Sequence, residues 1–301
     1  MYETRYHRPN SLAEAAALFS GAGEARYLSG GQTLIPAMKQ RLAAPSDLID
    51  IATLPELNGI ALTGDKLTVG AAMTHAEVAA SDVAAKAIPA LAALAATIGD
   101  PAVRHMGTLG GSLANNDPAA DYPAAVLALG ATIVTNQRKI AADEFFKGLF
   151  ETALKPGEII TAVSFPAPEK AAYMKFANPA SRFALVGVFV AKTKGGVRVA
   201  VTGAGESGVF RSAALEKALS GNFSAKAIEG VAMPAKGLNS DIHASAEYRA
   251  HLIGVMAKRA VSAAGRWLSP KPWAGRSRRC GSTRSLSRWC VVARVVFRQV
   301  L

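Results

Sequence analysis

The amino-acid sequence predicts a mixed α+β fold, and the order of its elements carries that prediction. Before Pro166, short strand patterns alternate with helical patterns, which is typical of a small α/β unit. Beyond Pro166 the strand patterns become longer and are followed by two helices. We therefore place a domain boundary within Pro166-Ala167-Pro168.

Local signals define the individual elements. Ser11 with Glu14, and Thr74 with Glu77, fit capping boxes that begin helices, and a further helix opens at Asp121. The other expected elements are strands over residues 26–28, 47–51, 66–70, 131–135, 173–176, 183–191 and 197–201, and helices over residues 34–42, 83–97, 211–219 and 245–263.

The net charge of +12 is concentrated at one end of the 301 residues. Residues 266–301 hold nine of the 34 basic residues and no acid, so residues 1–265 carry a net charge of only +3. The same end holds all three Trp and both Cys. We interpret residues 265–301 as a basic tail that is translated out of frame and disordered. A genuine arm that binds an anionic partner is the alternative.

Residues 1–264 contain no cysteine, which excludes a disulfide framework, a thiolate metal site and a cysteine-ligated iron–sulfur cluster within them. The first residues lack the apolar stretch of a signal peptide. The longest nearly apolar stretch, residues 87–98, is too short to span a bilayer. These features predict a cytoplasmic protein with no transmembrane segment, and we expect no nucleic-acid partner.

Two glycine segments form the candidate binding site. Residues 29–36 read Ser-Gly-Gly-Gln-Thr-Leu-Ile-Pro, and residues 107–115 combine three glycines with two hydroxyl residues and an amide. Such turns expose successive backbone N–H groups that suit phosphate oxygens, and the hydroxyls add further donors. Two such segments predict a diphosphate held from both sides. Two tight turns beside strands are the alternative.

Particular residues follow from this interpretation. We assign the first set of donors to Gly30, Gly31, Gln32 and Thr33, and the opposing set to Thr108, Gly110, Gly111 and Ser112. Asp121 is the candidate acceptor for a ribose hydroxyl, because Pro118 makes Asp117 part of a cap and turn and leaves Asp121 the freer side chain.

Residues 203–208 match G-x-G-x-x-G after a strand and before a helix, which is the context of a dinucleotide fingerprint. Neither a second strand nor a well-placed acid follows about twenty residues later, as that fingerprint requires. A stand-alone NAD- or flavin-dependent dehydrogenase that uses Gly203–Gly208 is therefore the second hypothesis. The five histidines are scattered, so we expect no metal site and no catalytic acid–base residue.

The glycine segments closely resemble those of the FAD-binding (medium) subunits of the molybdenum hydroxylases, within the xanthine dehydrogenase family. The chain looks most like the medium subunits of aerobic carbon monoxide dehydrogenases. The likeness spans nearly all of residues 1–264. It is carried by residues 29–36, 103–114 and 117–121, with support from residues 175–176, 181–184, 241–243 and 248–249.

The resemblance implies a two-lobed FAD-binding domain of the PCMH (vanillyl-alcohol-oxidase) type at residues 1–166, with lobes of about 1–55 and 56–166. A smaller α+β C-terminal domain, an antiparallel sheet with helices, would occupy residues 167–264. Residues 29–33 and 108–112 would clasp the FAD diphosphate, which adds Ser29 and Leu109 to the donors above. A side chain at Gly110 would then meet phosphate and remove FAD from a folded apoprotein.

The resemblance also implies roles for three residues outside the glycine segments. Asp121 would reach the ribose or adenine end of FAD, Phe183 would cover the isoalloxazine ring, and Lys175 would join the cofactor site. The implied partners are a [2Fe–2S] small subunit and a molybdopterin-containing large subunit, assembled as a dimer of heterotrimers. FAD would collect electrons from the clusters and pass them to an external acceptor, so no residue of this chain need be a catalytic acid or base.

Overall fold

The structure, a computed structural model, describes residues 2–264. The predictions for residues 265–301, that they are translated out of frame and disordered, lie outside the described residues.

The strands of residues 2–264 belong to four sheets. In chain order they are β1 (Arg5–His7), β2 (Ala25–Leu28), β3 (Asp47–Asp50), β4 (Ile60–Thr63), β5 (Lys66–Gly70), β6 (Thr132–Thr135), β7 (Lys139–Ala141), β8 (Phe146–Gly148), β9 (Glu151–Thr152), β10 (Ile160–Pro166), β11 (Lys170–Ala177), β12 (Ala184–Thr193), β13 (Gly196–Thr202) and β14 (Phe210–Arg211).

The helices lie between and upon these sheets. They are α1 (Leu12–Gly21), α2 (Leu34–Lys39), α3 (His75–Ala80), α4 (Asp82–Ala87), α5 (Pro89–Ala96), α6 (Pro101–Met106), α7 (Leu109–Asn115), α8 (Tyr122–Leu129), α9 (Ala142–Phe145), α10 (Ala213–Gly221) and α11 (Ala246–Ala264). In the part of the chain that the structure describes, no helix is both long and apolar enough to cross a bilayer.

The N-terminal strands form a parallel sheet in the order β1-β3-β2. Parallel neighbours require a crossover, which α1 and α2 provide. Ile49 of the central strand is fully buried and joins the apolar cluster that also contains Ala15 of α1. This arrangement confirms the small α/β unit that the sequence predicts.

A five-stranded antiparallel sheet follows, in the order β4-β5-β10-β6-β7. Its central strand β10 is absent from the strands that the sequence predicts, although its alternate residues Val163 and Phe165 are fully buried, as expected for a strand with one face on the core. Helix α8, whose eight residues are all buried, belongs to the same apolar cluster.

The third sheet is antiparallel, in the order β11-β12-β13-β14. Residues 184–191 of β12 are buried without a break, because α11 packs against β11 and β12 while α8 packs against β12 and β13. A continuous apolar run fits a strand that is covered on both faces. The described residues thus form a mixed α+β fold, as predicted; the domain limits stay predictions.

Two predicted helices are shorter than expected. The helix expected over 83–97 is divided into α4 and α5, because Pro89 has no N–H to donate and its ring disfavours a helical residue before it. Ile88 accordingly leaves the helical region, with φ −141° and ψ 77°. Helix α2 ends at Lys39 rather than at residue 42.

Candidate functional site

The two glycine segments meet, backbone against backbone. A Cβ built on Gly30 would overlap the carbonyl oxygen of Met106 and lie 2.7 Å from the Cα of Gly107. No other residue type fits at position 30 without moving one segment. The structure therefore brings together the two segments that the sequence paired.

Hydroxyl groups add a directional link across this contact. Ser29 Oγ and Thr108 Oγ1 are 3.0 Å apart. Thr108 is buried and is the N-cap of α7, where its Oγ1 also accepts the N–H of Gly111 at 3.1 Å. One side chain thus caps the helix and holds the first segment.

The second segment is a buried turn and helix, which corrects the expectation of an exposed loop over residues 107–115. Residues 107–110 are buried, and residues 109–115 form α7. The N–H of Leu109 donates to Met73 O at 3.0 Å, and the N–H of Ser112 donates to Thr108 O at 3.0 Å. The N–H groups of residues 109–112 therefore already have acceptors within the chain.

Close packing against Ala71 requires a glycine at position 110. A Cβ at this position would lie 2.7 Å from the Cβ of Ala71 and 2.9 Å from its carbonyl oxygen, and the Gly110 N–H donates to that oxygen at 2.8 Å. Ala71 directly follows β5, so α7 rests on the end of this strand. The expectation that a side chain at Gly110 would meet phosphate is therefore wrong: it would meet protein.

Unpaired donors lie mainly in the first segment. Within residues 2–264, no acceptor takes the backbone N–H groups of residues 30–33 or of Thr108. Gly31 has φ +69°, which is favourable only for glycine. Gln32 and Thr33 are exposed. These donors and the Ser112 hydroxyl, at a half-buried residue, are the groups with capacity for an anion.

Asp121 is not the freer carboxylate. It is 5% exposed, it accepts a hydrogen bond from the Tyr173 hydroxyl, and Lys175 Nζ lies 3.1 Å from its oxygens. Asp117 is less buried, and its carboxylate accepts the N–H of Ala119 at 2.8 Å, which closes a turn. Burial raises the pKa of the Asp121 carboxyl, while Lys175 and Tyr173 oppose that rise. Each Asp121 oxygen therefore already accepts one hydrogen bond within the chain.

The segment that carries Asp121 is fixed to the third sheet. The Thr202 hydroxyl donates to Ala120 O at 2.6 Å, and the Gly203 N–H donates to Pro118 O at 2.8 Å. Lys175 of β11 also donates to Thr97 O at 2.9 Å, just beyond α5. Three parts of the fold therefore converge around Asp121.

The G-x-G-x-x-G segment is a hairpin connection. Residues 203–208 join β13 to β14, which are antiparallel neighbours with Val201 opposite Phe210. A dinucleotide fingerprint instead joins a parallel strand to the N-terminus of a helix. This topology overturns the alternative of a dehydrogenase that uses Gly203–Gly208.

Phe183 lies at an exposed turn. Its side chain is 54% exposed, and the turn is closed by the Asn178 N–H, which donates to Phe183 O at 2.8 Å. A Cβ on Gly99 would lie 3.7 Å from Ser181 O, so this turn borders the Thr97–Gly99 segment that Lys175 also contacts. The ring is therefore available to a ligand, and its role stays a prediction.

His75 is a site neighbour that the sequence pattern does not distinguish from an ordinary histidine. It is 5% exposed, and a Cβ on Gly107 would lie 2.7 Å from its Nε2. Neither its Nδ1 nor the Tyr122 hydroxyl has a partner among the described residues. Burial, and then the charge of Arg104, lower the pKa of His75 to about 4. The sequence marks His75 only by its place in the Thr74–Glu77 capping box, since the tertiary fold alone brings it to Gly107. His105, which the sequence places next to the segment, is exposed.

Comparisons with known proteins agree with this geometry. A family model described as the FAD binding domain in molybdopterin dehydrogenase matches residues 2–168. The chain is 37% identical over 280 residues to the carbon monoxide dehydrogenase medium chain of Afipia carboxidovorans, covering 86% of this chain and 96% of that one. It is also 37% identical over 275 residues to the nicotine 6-hydroxylase medium subunit of Paenarthrobacter nicotinovorans, covering 87% and 97%.

A solved structure extends this similarity to three dimensions. The carbon monoxide dehydrogenase from Hydrogenophaga pseudoflava that lacks the Mo-pyranopterin moiety includes a chain that superposes with a TM-score of 0.80 at 34% identity. The match covers 87% of this chain and 97% of that chain. Fold and sequence therefore agree over nearly the whole of that relative.

Fold and paired segments define an FAD-binding flavoprotein of the PCMH type. The chain belongs to the family of FAD-binding (medium) subunits of the molybdenum hydroxylases, and it resembles the carbon monoxide dehydrogenase members. Its cofactor is FAD, and it is an oxidoreductase subunit. These findings confirm the resemblance on which the predicted cofactor rests.

Gly110→Ala should destabilise the protein by about 2 kcal/mol, because the added methyl group overpacks against Ala71. Gly254→Ala, in α11, is the matched control: a Cβ there would meet no heavy atom of residues 2–264 within 4 Å. That change should stabilise by about 0.5–1 kcal/mol, because glycine is unfavourable inside a helix. Urea unfolding of both variants measures these effects; equal effects would contradict the packing role of Gly110.

The lowered pKa of His75 predicts a pH-dependent stability. In the unfolded chain His75 protonates at the ordinary histidine pKa of 6.5, whereas the folded imidazole resists protonation down to about 4. Its contribution is therefore complete above pH 6.5 and is lost as the pH falls towards 4, by about 3 kcal/mol in total. Urea unfolding at several pH values, for the wild type and for His75→Phe, isolates this contribution, because other titrations largely cancel in the difference. A difference that does not vary with pH would refute it.

Proposed function

We propose that this chain is the FAD-bearing electron-transfer subunit of a cytoplasmic, heterotrimeric molybdenum hydroxylase of the carbon monoxide dehydrogenase type. It accepts electrons from a [2Fe–2S] small subunit and passes them to an external acceptor. A molybdopterin-containing large subunit oxidises the substrate, and two heterotrimers form the assembly. The limits 1–166 and 167–264 are its proposed FAD-binding and C-terminal domains.

The contact between the glycine segments carries this proposal. It brings the unpaired N–H groups of residues 30–33 together with that of Thr108 and with the hydroxyl of Ser29, and Ser112 lies one turn further along α7 from Thr108. A diphosphate needs such convergent donors, and several charge-assisted hydrogen bonds fit its oxygens. Leu109, Gly110 and Gly111 contribute by holding α7 in place, because their own N–H groups are already used.

The remaining site residues would act on the rest of the cofactor. FAD, when bound, supplies the electron chemistry, and the protein binds and orients it. Lys175 brings a positive charge beside Asp121 and the Thr97 carbonyl, and Phe183 offers an exposed ring. Because the chain holds only two cysteines, both within residues 265–301, it cannot supply the four thiolates of a cysteine-ligated [2Fe–2S] cluster, and such a cluster belongs on another chain.

Gly31→Ala should weaken FAD binding at least tenfold. The change forces an alanine into φ +69° and would place its Cβ 3.1 Å from Ile35 Cγ1. Gly64→Ala is the control, since Gly64 has φ +60° in the turn between β4 and β5, and no heavy atom in the described part of the chain lies within 4 Å of a Cβ there. Both substitutions introduce a backbone strain of about 1 kcal/mol. The two variants should therefore lose a similar amount of folding stability.

Titration of the apoproteins with FAD, followed by flavin fluorescence, gives both dissociation constants. Only Gly31→Ala should bind FAD more weakly than the wild type. Equal affinities for FAD would remove the first glycine segment from the proposed clasp.

Purification of the tagged full-length chain from its source should recover two further chains, one with [2Fe–2S] absorption and one with molybdopterin. Substrate should reduce the flavin only in that complex, with carbon monoxide as the first substrate to test. Dithionite should reduce the flavin of the isolated FAD-loaded chain, and an acceptor should reoxidise it. Substrate-dependent turnover by the isolated chain would contradict the division of labour.

A further inference from the structure

Arg249 is a buried arginine whose guanidinium donates three hydrogen bonds. It lies on α11, is 3% exposed, and directs its Nη1 to Leu185 O at 2.7 Å and to Gly203 O at 2.8 Å. Its Nη2 donates to the Asp241 carboxylate at 2.7 Å. A planar guanidinium can hold several acceptors in one fixed geometry, which a lysine cannot.

The two carbonyls lie where pairing between β12 and β13 stops. That ladder ends at Gly187 and Thr202, whereas β12 stays paired with β11 as far as Ala184; Leu185 and Gly203 therefore lie beyond the β12–β13 ladder only. Buried carbonyls without partners are costly, by about 1–3 kcal/mol each. Arg249 therefore substitutes for the missing β12–β13 pairing at these carbonyls, and it fixes the first residues of β12 to the residue that follows β13.

Both segments lead to the proposed cofactor site. Leu185 is two residues from Phe183, whose turn borders Gly99. Gly203 binds Pro118 O through its own N–H, in the segment that carries Asp121. Arg249 contacts neither glycine segment, yet its fork joins the two strand ends that hold these flanking parts of the site.

A buried charge is not needed for packing at this position. Desolvation of a guanidinium costs several kcal/mol, and its partner Asp241 has a side chain that is 44% exposed. Apolar residues of α11, such as Ile253 and Met256, already pack on the same sheet. An apolar side chain of the same size could pack at this position. The guanidinium in addition holds the ends of β12 and β13 in place through its hydrogen bonds.

We propose that Arg249 is a positioning residue for the bound flavin. By fixing Leu185 and Gly203 to each other and to Asp241, it sets the separation between the Phe183 turn and the Pro118–Asp121 segment. This inference rests on the proposed function, because it takes these two parts as walls of the FAD site. It assigns α11, in the C-terminal part of the chain, a role in cofactor geometry.

Variants at Arg249 test this role in the full-length chain. Arg249→Met keeps the length and removes the fork; Arg249→Lys keeps the charge and a single donor head. Arg259→Met, at an exposed position of the same helix, is the matched control. The FAD dissociation constant and the flavin midpoint potential are measured at a temperature where circular dichroism shows each variant folded.

We expect Arg249→Met to raise the FAD dissociation constant at least tenfold and to shift the midpoint potential. Arg249→Lys should give intermediate values, and Arg259→Met should stay within twofold of the wild type. An Arg249→Met protein that melts at a lower temperature but keeps the wild-type affinity and potential would show a purely structural role and overturn the proposal. If Arg249→Met does not fold, wild-type values for Arg249→Lys overturn it.

The results that would contradict the proposed function differ from those that would contradict the role of Arg249. If the wild-type chain binds no FAD, or if Gly31→Ala binds it normally, the cofactor site itself is misplaced. If the wild-type chain binds FAD, Gly31→Ala binds it weakly and the Arg249 variants keep the wild-type affinity and potential, the proposed site is supported and the positioning role of Arg249 is wrong.

Discussion

The contact of Gly30 with Met106 and Gly107 is the constraint on which the rest of the site depends. The first segment leaves the parallel sheet at β2, and the second rests on the end of β5 through α7. Because no side chain fits between them, the two sheets keep one separation where the segments meet. The hydroxyl link between Ser29 and Thr108 contributes about 1 kcal/mol net, as a neutral hydrogen bond does. Steric fit therefore sets the distance between the two glycine segments, and the hydrogen bond between Ser29 and Thr108 sets their relative orientation.

The third sheet joins this arrangement through Asp121. Its carboxylate is held between Tyr173 and Lys175 of β11, while its own segment is bonded to Thr202 and Gly203. A buried ion pair adds little net stability, because desolvation offsets much of the attraction. Its structural effect is to fix α8 relative to β11 and to the end of α5. Parts of three separate sheets thus border the candidate site, which none of them could form alone.

The sequence predicts the local features well where a residue's own chemistry decides the outcome. The capping box at Thr74 and Glu77 forms as expected, and the strand that includes residues 184–191 follows from its unbroken apolar run. Burial of Asp121 could not be predicted, because its partners Tyr173 and Lys175 lie more than fifty residues away. The same holds for Gly110, whose neighbour Ala71 is brought to it only by the tertiary fold. Pairing of the two glycine segments follows from their shared chemistry, and its role in holding FAD stays a prediction.

Glycine-rich motifs in this chain mark places where backbone meets backbone, and a ligand follows only under a further condition. Gly30 meets Met106, Gly110 meets Ala71, and a Cβ on Gly203 would overlap Ala184 O. At residues 203–208 the N–H groups of Gly203, Glu206 and Gly208 have acceptors in the chain, whereas those of Ala204, Gly205 and Ser207 have none among residues 2–264. Only half of the N–H groups at this crossing are therefore open to an anion. At residues 30–33 the N–H groups have no acceptor within the described part of the chain. A complete run of unpaired N–H groups, rather than the density of glycine, therefore sets residues 30–33 apart from this hairpin connection.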